Sequence, residues 1–225
     1  WGIGDFTDLK DLLGVASTLG CAGIGLNPLH VLFDDEPASC SPYAPNSRLF
    51  LNPIYIDVEA LAEFTGIDAA TRDAIPREKQ EELIDYPAVS QWKLTALQLA
   101  FENFKVDRTS ERFRQFDAFR RERGALLRCF ADFSTLRRRF QRPWWEWPDD
   151  CRRPDGSSVL DHRMRGGRDE AEFVEYLQWV AHAQLQECTE LAKALHLKVG
   201  LYLDVAVGVR ADGFDAWLEQ EAIAR

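Results

Sequence analysis

The residue best suited to chemistry is Asp204, the single charged side chain in the apolar run from Val199 to Val209. A carboxylate buried without a partner is costly, so it needs a compensating group or a polar cleft. The run predicts a strand that is buried on both faces, with Asp204 near its C-terminal end. Ligands bind at that end of the strands in α/β folds. The position therefore favours a functional carboxylate over an aspartate that only caps the following loop.

A second candidate is the segment Ser41-Pro42-Tyr43, inside a proline-rich stretch from His30 to Pro53 that we expect to be an ordered functional loop. Pro42 and Pro45 stiffen the segment. Tyr43 offers a flat apolar face and a hydroxyl, a combination that suits stacking and hydrogen bonding to sugar rings. The alternative is that Tyr43 only packs the loop onto the core, and the segment by itself does not decide between the two.

The other reactive residue types form no recognised site. The five cysteines are scattered, without a Cys-x-x-Cys pair or a histidine at metal-ligand spacing. This pattern is typical of reduced, structural thiols in a cytoplasmic protein. No Gly-x-Ser-x-Gly motif occurs, and no Gly-x-Gly-x-x-Gly precedes a helix. We therefore expect no metal and no organic cofactor.

Charge and hydropathy argue against two classes of partner. The 225 residues carry a net charge of −10, and no apolar run approaches the length of a membrane span. Residues 105–142 contain 12 basic and 5 acidic side chains, a local net charge of +7. Because acids are interleaved with the arginines opposite a Phe/Leu stripe, a solvated helix face is favoured over a nucleic-acid surface. We expect no membrane and no nucleic-acid partner, and a nucleic-acid-binding helical protein is the weakest alternative.

Three predicted strands position these candidates. Trp1–Phe6 is predicted as a strand, residues 8–19 as a helix capped by Thr7 or Asp8, and Ile24–Leu29 as a second strand. So short a β-α-β unit implies parallel strands. The run from Val199 to Val209 is the third strand, and residues 54–58 form a short extended piece.

Long helices fill most of the middle of the chain. Apolar residues at helical spacing predict helices over Tyr86–Phe104, Ser110–Phe140 and Asp169–Leu195. The tryptophans at 144, 145 and 147 are predicted to form a packed corner. We divide the chain into a start (1–58), a helical insertion (59–168) and a final helix and strand (169–225). Since the sequence begins with Trp1 and its only methionine is Met164, we expect a piece of a longer protein.

Four ordered segments resemble one family. They are Trp1-Gly2-Ile3-Gly4-Asp5-Phe6, Pro28-Leu29-His30, Ser41-Pro42-Tyr43 followed by Asn52-Pro53 and Asp57, and the run from Gly200 to Val209 with Trp217. The set resembles 4-α-glucanotransferases, the amylomaltases or disproportionating enzymes. Trp145-Glu146-Trp147-Pro148 and Tyr176-Leu177-Gln178-Trp179 are similar to segments of the longer bacterial members.

The resemblance implies an α/β fold, a partial (β/α)8 TIM-type barrel with its first three strands and a large, mostly helical insertion. It implies a retaining double displacement on maltodextrin or another α-1,4-glucan, without metal or cofactor. By the same resemblance, Asp204 binds the sugar at the cleavage point, and Tyr43 and Ser41 line the donor side. The protein would be a cytoplasmic glycosyltransferase of carbohydrate, starch and glycogen metabolism.

The chain departs from the family in one respect. In the family the nucleophile, the acid/base and a third carboxylate lie on later barrel strands, so no residue of the 225 is assigned a catalytic role. We therefore expect this piece to be inactive by itself. An α-glucan hydrolase and a non-catalytic α-glucan-binding fragment are the alternatives, and the sequence leaves the oligomeric state open.

Overall fold

The computed structural model describes residues 1–64, 83–156 and 167–223. Its longer helices and its strands are, in chain order, α1 (Phe6–Thr18), β1 (Gly23–Leu26), β2 (His30–Val31), β3 (Ser47–Leu51), α2 (Tyr86–Phe104), α3 (Glu111–Phe140), α4 (Arg168–Ala194), β4 (Gly200–Leu203) and α5 (Phe214–Leu218). Short 3-10 turns cover Pro53–Tyr55, Trp144–Glu146 and Asp149–Cys151. Part of the predicted insertion, at 65–82 and 157–166, lies outside the described residues.

The chain divides into two compact units, each built from separated segments. Unit 1 contains residues 1–29, 52–108 and 180–204, and unit 2 contains residues 30–51, 109–179 and 205–225. One boundary between the units falls next to a candidate residue. Asp204 is the last residue of a unit 1 segment, and Val205 is the first residue of a unit 2 segment.

Unit 1 holds a parallel pair of strands. β1 and β4 pair in register from Gly23 with Gly200 to Leu26 with Leu203. The strands can start this close together because of two glycines. A Cβ on Gly23 would lie 2.4 Å from the Gly200 carbonyl oxygen, and Gly200 itself has a φ of +75°. The parallel unit predicted from Trp1–Phe6 and Ile24–Leu29 is therefore replaced by a parallel pairing of β1 with β4.

The predicted first strand, Trp1–Phe6, is wrong. Gly2 has a positive φ, and the Asp5 side chain accepts hydrogen bonds from the backbone N–H groups of Thr7 and Asp8. The Asp8 carboxylate in turn accepts a bond from the Asp5 N–H, and the two sets of bonds form a capping box. The helix therefore begins at Phe6, and its cap is Asp5 rather than Thr7 or Asp8.

The third predicted strand is shorter and more exposed than expected. β4 ends at Leu203. Asp204 N–H still bonds to Leu26 of β1, and Ala206 N–H, in unit 2, donates to Nε2 of His30 at 3.2 Å. The expected burial on both faces is wrong, since Tyr202 is 69% and Val207 96% exposed. A continuous apolar run shows that a strand can be buried on both faces. It does not show that other residues of the chain cover those faces.

Unit 2 contains an antiparallel pair that the sequence did not indicate. β2 and β3 pair His30 with Leu51 and Val31 with Ser47, within the stretch that we expected to be loop throughout. The prolines of that stretch lie outside the two strands, so they do not interrupt the ladder. The extended piece predicted at 54–58 is also wrong at its start, because Asn52 accepts a bond from Ile54 N–H and begins a 3-10 turn.

Aromatic side chains form the core of unit 2. Phe50 stacks on Phe130 with ring centroids 4.0 Å apart, and Phe214 lies against both rings edge-on. Trp144 and Trp147 are buried, which confirms the predicted packed corner for these two residues.

The helix predictions agree closely with the structure. α2 has the predicted bounds, and α3 begins after its cap Ser110 and ends at Phe140. Gly124 interrupts α3 with φ 59° and ψ −135°, a kink that the apolar periodicity did not indicate. Among the described residues, no helix is both long and apolar enough to cross a membrane.

Candidate functional site

The C-terminal edge of the parallel strand pair positions Asp204 in unit 1. Asp204 directly follows β4, and its N–H donates to the carbonyl oxygen of Leu26, the last residue of β1, at 3.2 Å. The main chain of Asp204 is therefore fixed by the strand ladder, and its side chain is half-buried. This is the edge at which parallel strands of α/β folds present ligand-binding groups.

The second candidate segment forms a tight turn in unit 2. Ala44 N–H donates to the Ser41 carbonyl oxygen at 3.2 Å, which closes a four-residue turn with Pro42 and Tyr43 at its centre. Proline is favoured at the first central position because its φ is already set. Tyr43 is 53% exposed and Ser41 is also exposed. The turn therefore leaves about half of the Tyr43 surface exposed.

Both ends of the loop that carries this turn are anchored. At its base, Asn46 N–H donates to the Val31 carbonyl oxygen at 2.9 Å, next to the β2–β3 pairing. Phe33 and Phe50, at the two ends, are buried. The bonded base and these two buried rings agree with the expectation of an ordered loop.

The exit of the loop is bonded to the segment 205–215. Arg210 N–H donates to the Pro45 carbonyl oxygen at 2.9 Å, and Phe214 N–H donates to Oδ1 of Asn46 at 2.8 Å. The two backbones also approach closely, since a Cβ on Gly213 would lie 2.4 Å from the Asn46 carbonyl oxygen.

A buried carboxylate completes this junction. Asp215 accepts a bond from Ser47 Oγ at 2.5 Å through Oδ1 and one from Arg48 N–H at 3.1 Å through Oδ2. The Arg48 guanidinium donates to the Val207 carbonyl oxygen at 3.2 Å, and its Nε lies 3.7 Å from Oδ2 of Asp215.

The entrance of the loop is held by a network of ion pairs. Two arginines face three carboxylates, and both guanidiniums also lie over the ring of Phe33, at 4.4 and 4.7 Å from its centroid. The members are Arg137, Arg210, Asp35, Glu36 and Asp212. Burial alone would lower the pKa of Arg210, but its hydrogen bonds to Asp212 and Glu36 outweigh this and raise the pKa. The network joins the loop entrance, α3 and the segment after Asp204.

Sequence reasoning missed these anchoring residues. Arg137 belongs to the stretch 105–142 that we expected to be a solvated helix face, but its side chain is buried among carboxylates. The signal was present as the acidic run Asp34-Asp35-Glu36, opposite in sign to Arg137-Arg138. His30, which is not among the predicted site residues, accepts the Ala206 N–H with its ring nitrogen Nε2.

The three predicted site residues fall in both units. Asp204 lies in unit 1, and Ser41 and Tyr43 lie in unit 2. Within the described ranges, no group of three or more His, Cys, Asp or Glu side chains is arranged to hold a metal ion. All five cysteines are free thiols. Within unit 1 this leaves a half-buried carboxylate at Asp204, and within unit 2 an exposed aromatic ring at Tyr43.

Comparison with known proteins gives one family. The sequence model of the 4-alpha-glucanotransferase family matches residues 1–225. A 4-alpha-glucanotransferase of Mycobacterium bovis is 34% identical over 240 aligned residues, which cover 100% of this chain and 32% of that protein. One from Haemophilus influenzae is 27% identical and covers 98% of this chain and 34% of its own length. The chain thus spans about a third of the length of these curated relatives.

Two solved structures share the fold. The amylomaltase of Corynebacterium glutamicum has a TM-score of 0.76 and 31% identity, covering 96% of this chain and 29% of that one. An amylomaltase from Streptococcus agalactiae, solved in complex with acarbose, has a TM-score of 0.80 and 22% identity, covering 100% and 44%. These similarities confirm the predicted α/β fold.

Proposed function

The chain belongs to the 4-alpha-glucanotransferase family, and we propose that the protein transfers α-1,4-glucan segments between maltodextrins by a retaining double displacement. The observation that carries the proposal is the placement of Asp204 at the C-terminal edge of the parallel strands β1 and β4, in a chain that matches the family over its whole length. Because the chain spans about a third of its relatives, the activity is proposed for the full-length protein that contains it.

For the fold, we propose the beginning of a (β/α)8 barrel in which β1 and β4 are adjacent strands. Their parallel pairing and the long connection between them support this arrangement. Residues 59–168 would form a mostly helical insertion between these strands, and residues 169–225 would supply the next helix and strand. The strand ends would then face the glucan, as in other barrels of this kind.

Asp204 would bind the sugar at the cleavage point, and Tyr43 and Ser41 would line the donor side. The exposed ring of Tyr43 at the centre of a proline-stiffened turn supports a stacking contact with a glucose ring. The acarbose bound to the Streptococcus agalactiae relative supports an α-glucan-like ligand. Residues of this chain would thus bind and orient the donor.

The chemistry itself requires two carboxyl groups beyond these binding residues. One attacks the anomeric carbon, and the other protonates the leaving oxygen and then deprotonates the acceptor hydroxyl. We assign neither role to any of the 225 residues. Five free thiols support a reducing, cytoplasmic location. The ion pairs that occupy Arg137 support a structural role for part of the basic stretch, not nucleic-acid binding.

Product analysis tests the activity directly. The full-length protein incubated with maltotriose should produce glucose together with oligosaccharides longer than the substrate. Glucose and maltose alone would indicate an α-glucan hydrolase and would refute transfer. Binding of maltodextrin without any turnover would indicate a non-catalytic glucan-binding protein.

Substitution of Asp204 tests the binding site. Asp204→Asn should lower kcat/KM for maltotriose by about a hundredfold or more, because a sugar contact at the cleavage point acts in the transition state. Its melting temperature should stay close to that of the wild type. Asp11→Asn, at an exposed aspartate of α1 in the same unit, is the matched control. A large loss of stability with unchanged kcat/KM would show that Asp204 is structural.

A further inference from the structure

We propose that Asp215 is a positioning residue that fixes the Tyr43 turn for sugar binding, an inference that rests on the proposed function. Asp215 lies on α5, only 5% exposed, and its carboxylate accepts bonds from two consecutive residues, Ser47 and Arg48. These residues begin β3, which directly follows the loop. Asp215 is 168 residues away from Ser47 in the sequence, so the contact is tertiary.

The position of Ser47 is transmitted to Tyr43 because the connecting chain is short and stiff. Ser47 is four residues after Tyr43, and Pro42 and Pro45 flank Tyr43 and Ala44 in the sequence. Proline removes one backbone rotation at each of its positions. The turn bond from Ala44 N–H to Ser41 removes further freedom. Release of Ser47 would therefore loosen the end of the turn that carries the aromatic ring.

The bonding pattern requires two acceptor oxygens at position 215. Ser47 Oγ already accepts a bond from Leu49 N–H at 3.1 Å, and its hydrogen is donated to Asp215. Arg48 N–H needs the second oxygen. An asparagine would fill the same volume with one acceptor and one donor group, so one of the two bonds would be lost or reversed. It would also remove the negative charge close to Arg48 Nε.

The two bonds to Asp215 are continuous with further bonds to the segment that follows Asp204 in the sequence. α5 begins at Phe214, whose N–H is bonded to Asn46, and Arg210 N–H is bonded to Pro45. The bonds at Pro45, Asn46, Ser47 and Arg48 thus form one continuous junction within unit 2. Within the described part of this junction, two charged side chains take part in the hydrogen bonds: the Asp215 carboxylate and the Arg48 guanidinium. The Asp215 carboxylate is therefore the most sensitive place to disturb the turn.

A double-mutant cycle in the full-length protein tests this role. Asp215→Asn should lower kcat/KM for maltotriose by about tenfold, mainly through KM, since a donor contact is misplaced. Tyr43→Ala should lower it at least as much, and the double variant should be no worse than Tyr43→Ala alone, because Asp215 acts through Tyr43. Glu111→Gln, which removes an exposed helix ion pair with Arg114 in the same unit, should change nothing.

Additive losses in the double variant would overturn the proposal, because a purely structural aspartate weakens the enzyme whether or not Tyr43 is present. No effect of Tyr43→Ala would also overturn it, while leaving transfer by the wild type intact. Ser47→Ala removes one of the two bonds and replaces Asp215→Asn if that variant does not fold.

Amide hydrogen exchange provides a measurement that does not need activity. Asp215→Asn should speed exchange in residues 41–51 and leave α2 unchanged. Unchanged exchange in residues 41–51 would overturn the positioning role. If the wild type transfers no glucan, the proposed function fails, and exchange alone then decides whether Asp215 holds the turn.

Discussion

Lys93→Met should destabilise the protein far more than the loss of an ordinary surface ion pair. Lys93 lies on α2 and is 1% exposed. Its Nζ donates to the carbonyl oxygens of Ile54 and Ile56, at 2.8 and 2.9 Å, and lies 3.7 Å from Oδ2 of Asp5. Methionine has a similar length and packs in the same space but donates no hydrogen bond.

The size of the effect follows from what the ammonium leaves behind. Two buried carbonyl oxygens lose their donor, and Asp5 loses its cation. Removing one partner of a buried ion pair costs about 3–5 kcal/mol. Because Asp5 keeps its bonds from Thr7 and Asp8 N–H, we expect the lower end, about 3 kcal/mol. Lys10→Met is the control: its partner Glu187 is exposed, so its loss should be below about 1 kcal/mol.

The pH dependence gives a second signature. Burial lowers the pKa of Lys93, although Asp5 and Asp57 oppose the shift. The pKa of Lys93 is therefore lower in the folded state than in the unfolded state. Between these two pKa values the unfolded chain binds more protons than the folded protein. The free energy of unfolding therefore rises with pH across this alkaline interval. Burial raises the pKa of Asp5 against the attraction of Lys93. The protonated Asp5 carboxyl group therefore stabilises the fold at low pH, and this stabilisation is lost as the pH rises through the folded-state pKa of Asp5. Lys93→Met should abolish the alkaline rise.

Urea unfolding of the full-length protein, followed by tryptophan fluorescence, measures both effects. The free energies of unfolding of the wild type, Lys93→Met and Lys10→Met are compared at neutral pH and across the alkaline range. If Lys93→Met loses no more free energy than Lys10→Met, the buried bonds to Ile54 and Ile56 do not stabilise the fold. A retained alkaline rise would show that another group produces it.

Two further predictions concern glycines and thiols. Gly14→Ala, in α1 with nothing within 4 Å of the new methyl, should stabilise by about 0.5–1 kcal/mol. Gly124→Ala, at φ 59° and ψ −135°, should destabilise by about 1–3 kcal/mol; melting temperatures that move in the same direction would contradict the kink. Burial raises the pKa of Cys129 and of Cys188 to about 11, so exposed Cys21 should be alkylated first, as followed by mass spectrometry. Faster labelling of Cys188 would show that its burial is wrong.

The local sequence was sufficient to predict a helix or strand where a single kind of interaction, such as a regular apolar stripe, determines the structure. α2 was predicted to the residue because its apolar stripe is regular, and the structure shows its cap, Asp85, accepting a bond from Ala88 N–H. Trp1–Phe6 was mispredicted because apolar content indicated a strand, while the Asp5 side chain competes by accepting bonds from the backbone N–H groups of Thr7 and Asp8. β2 and β3 were missed because a two-residue and a five-residue strand offer too little alternation to detect.

The candidate residues differ in how far the sequence could place them. Asp204 could be placed at the end of a strand because a charge in an apolar run marks the edge itself, and the bond to Leu26 agrees with this. Asp215 could not be identified, since an acidic residue in a short helical segment is ordinary. Its partners Ser47 and Arg48 are known only from the tertiary structure.

This difference affects how motif matches should be interpreted in this family. The geometry of Asp204 depends on a backbone ladder that any sequence forming β1 and β4 would reproduce. The geometry of Tyr43 depends on Ser47, four residues further along, and on Asp215, which is 168 residues away from Ser47 in the sequence. A relative that kept Ser41-Pro42-Tyr43 but lost Asp215 would retain the motif without the support of its turn. Sugar contacts should therefore be transferred between relatives only when the side chains that anchor the turn are present as well.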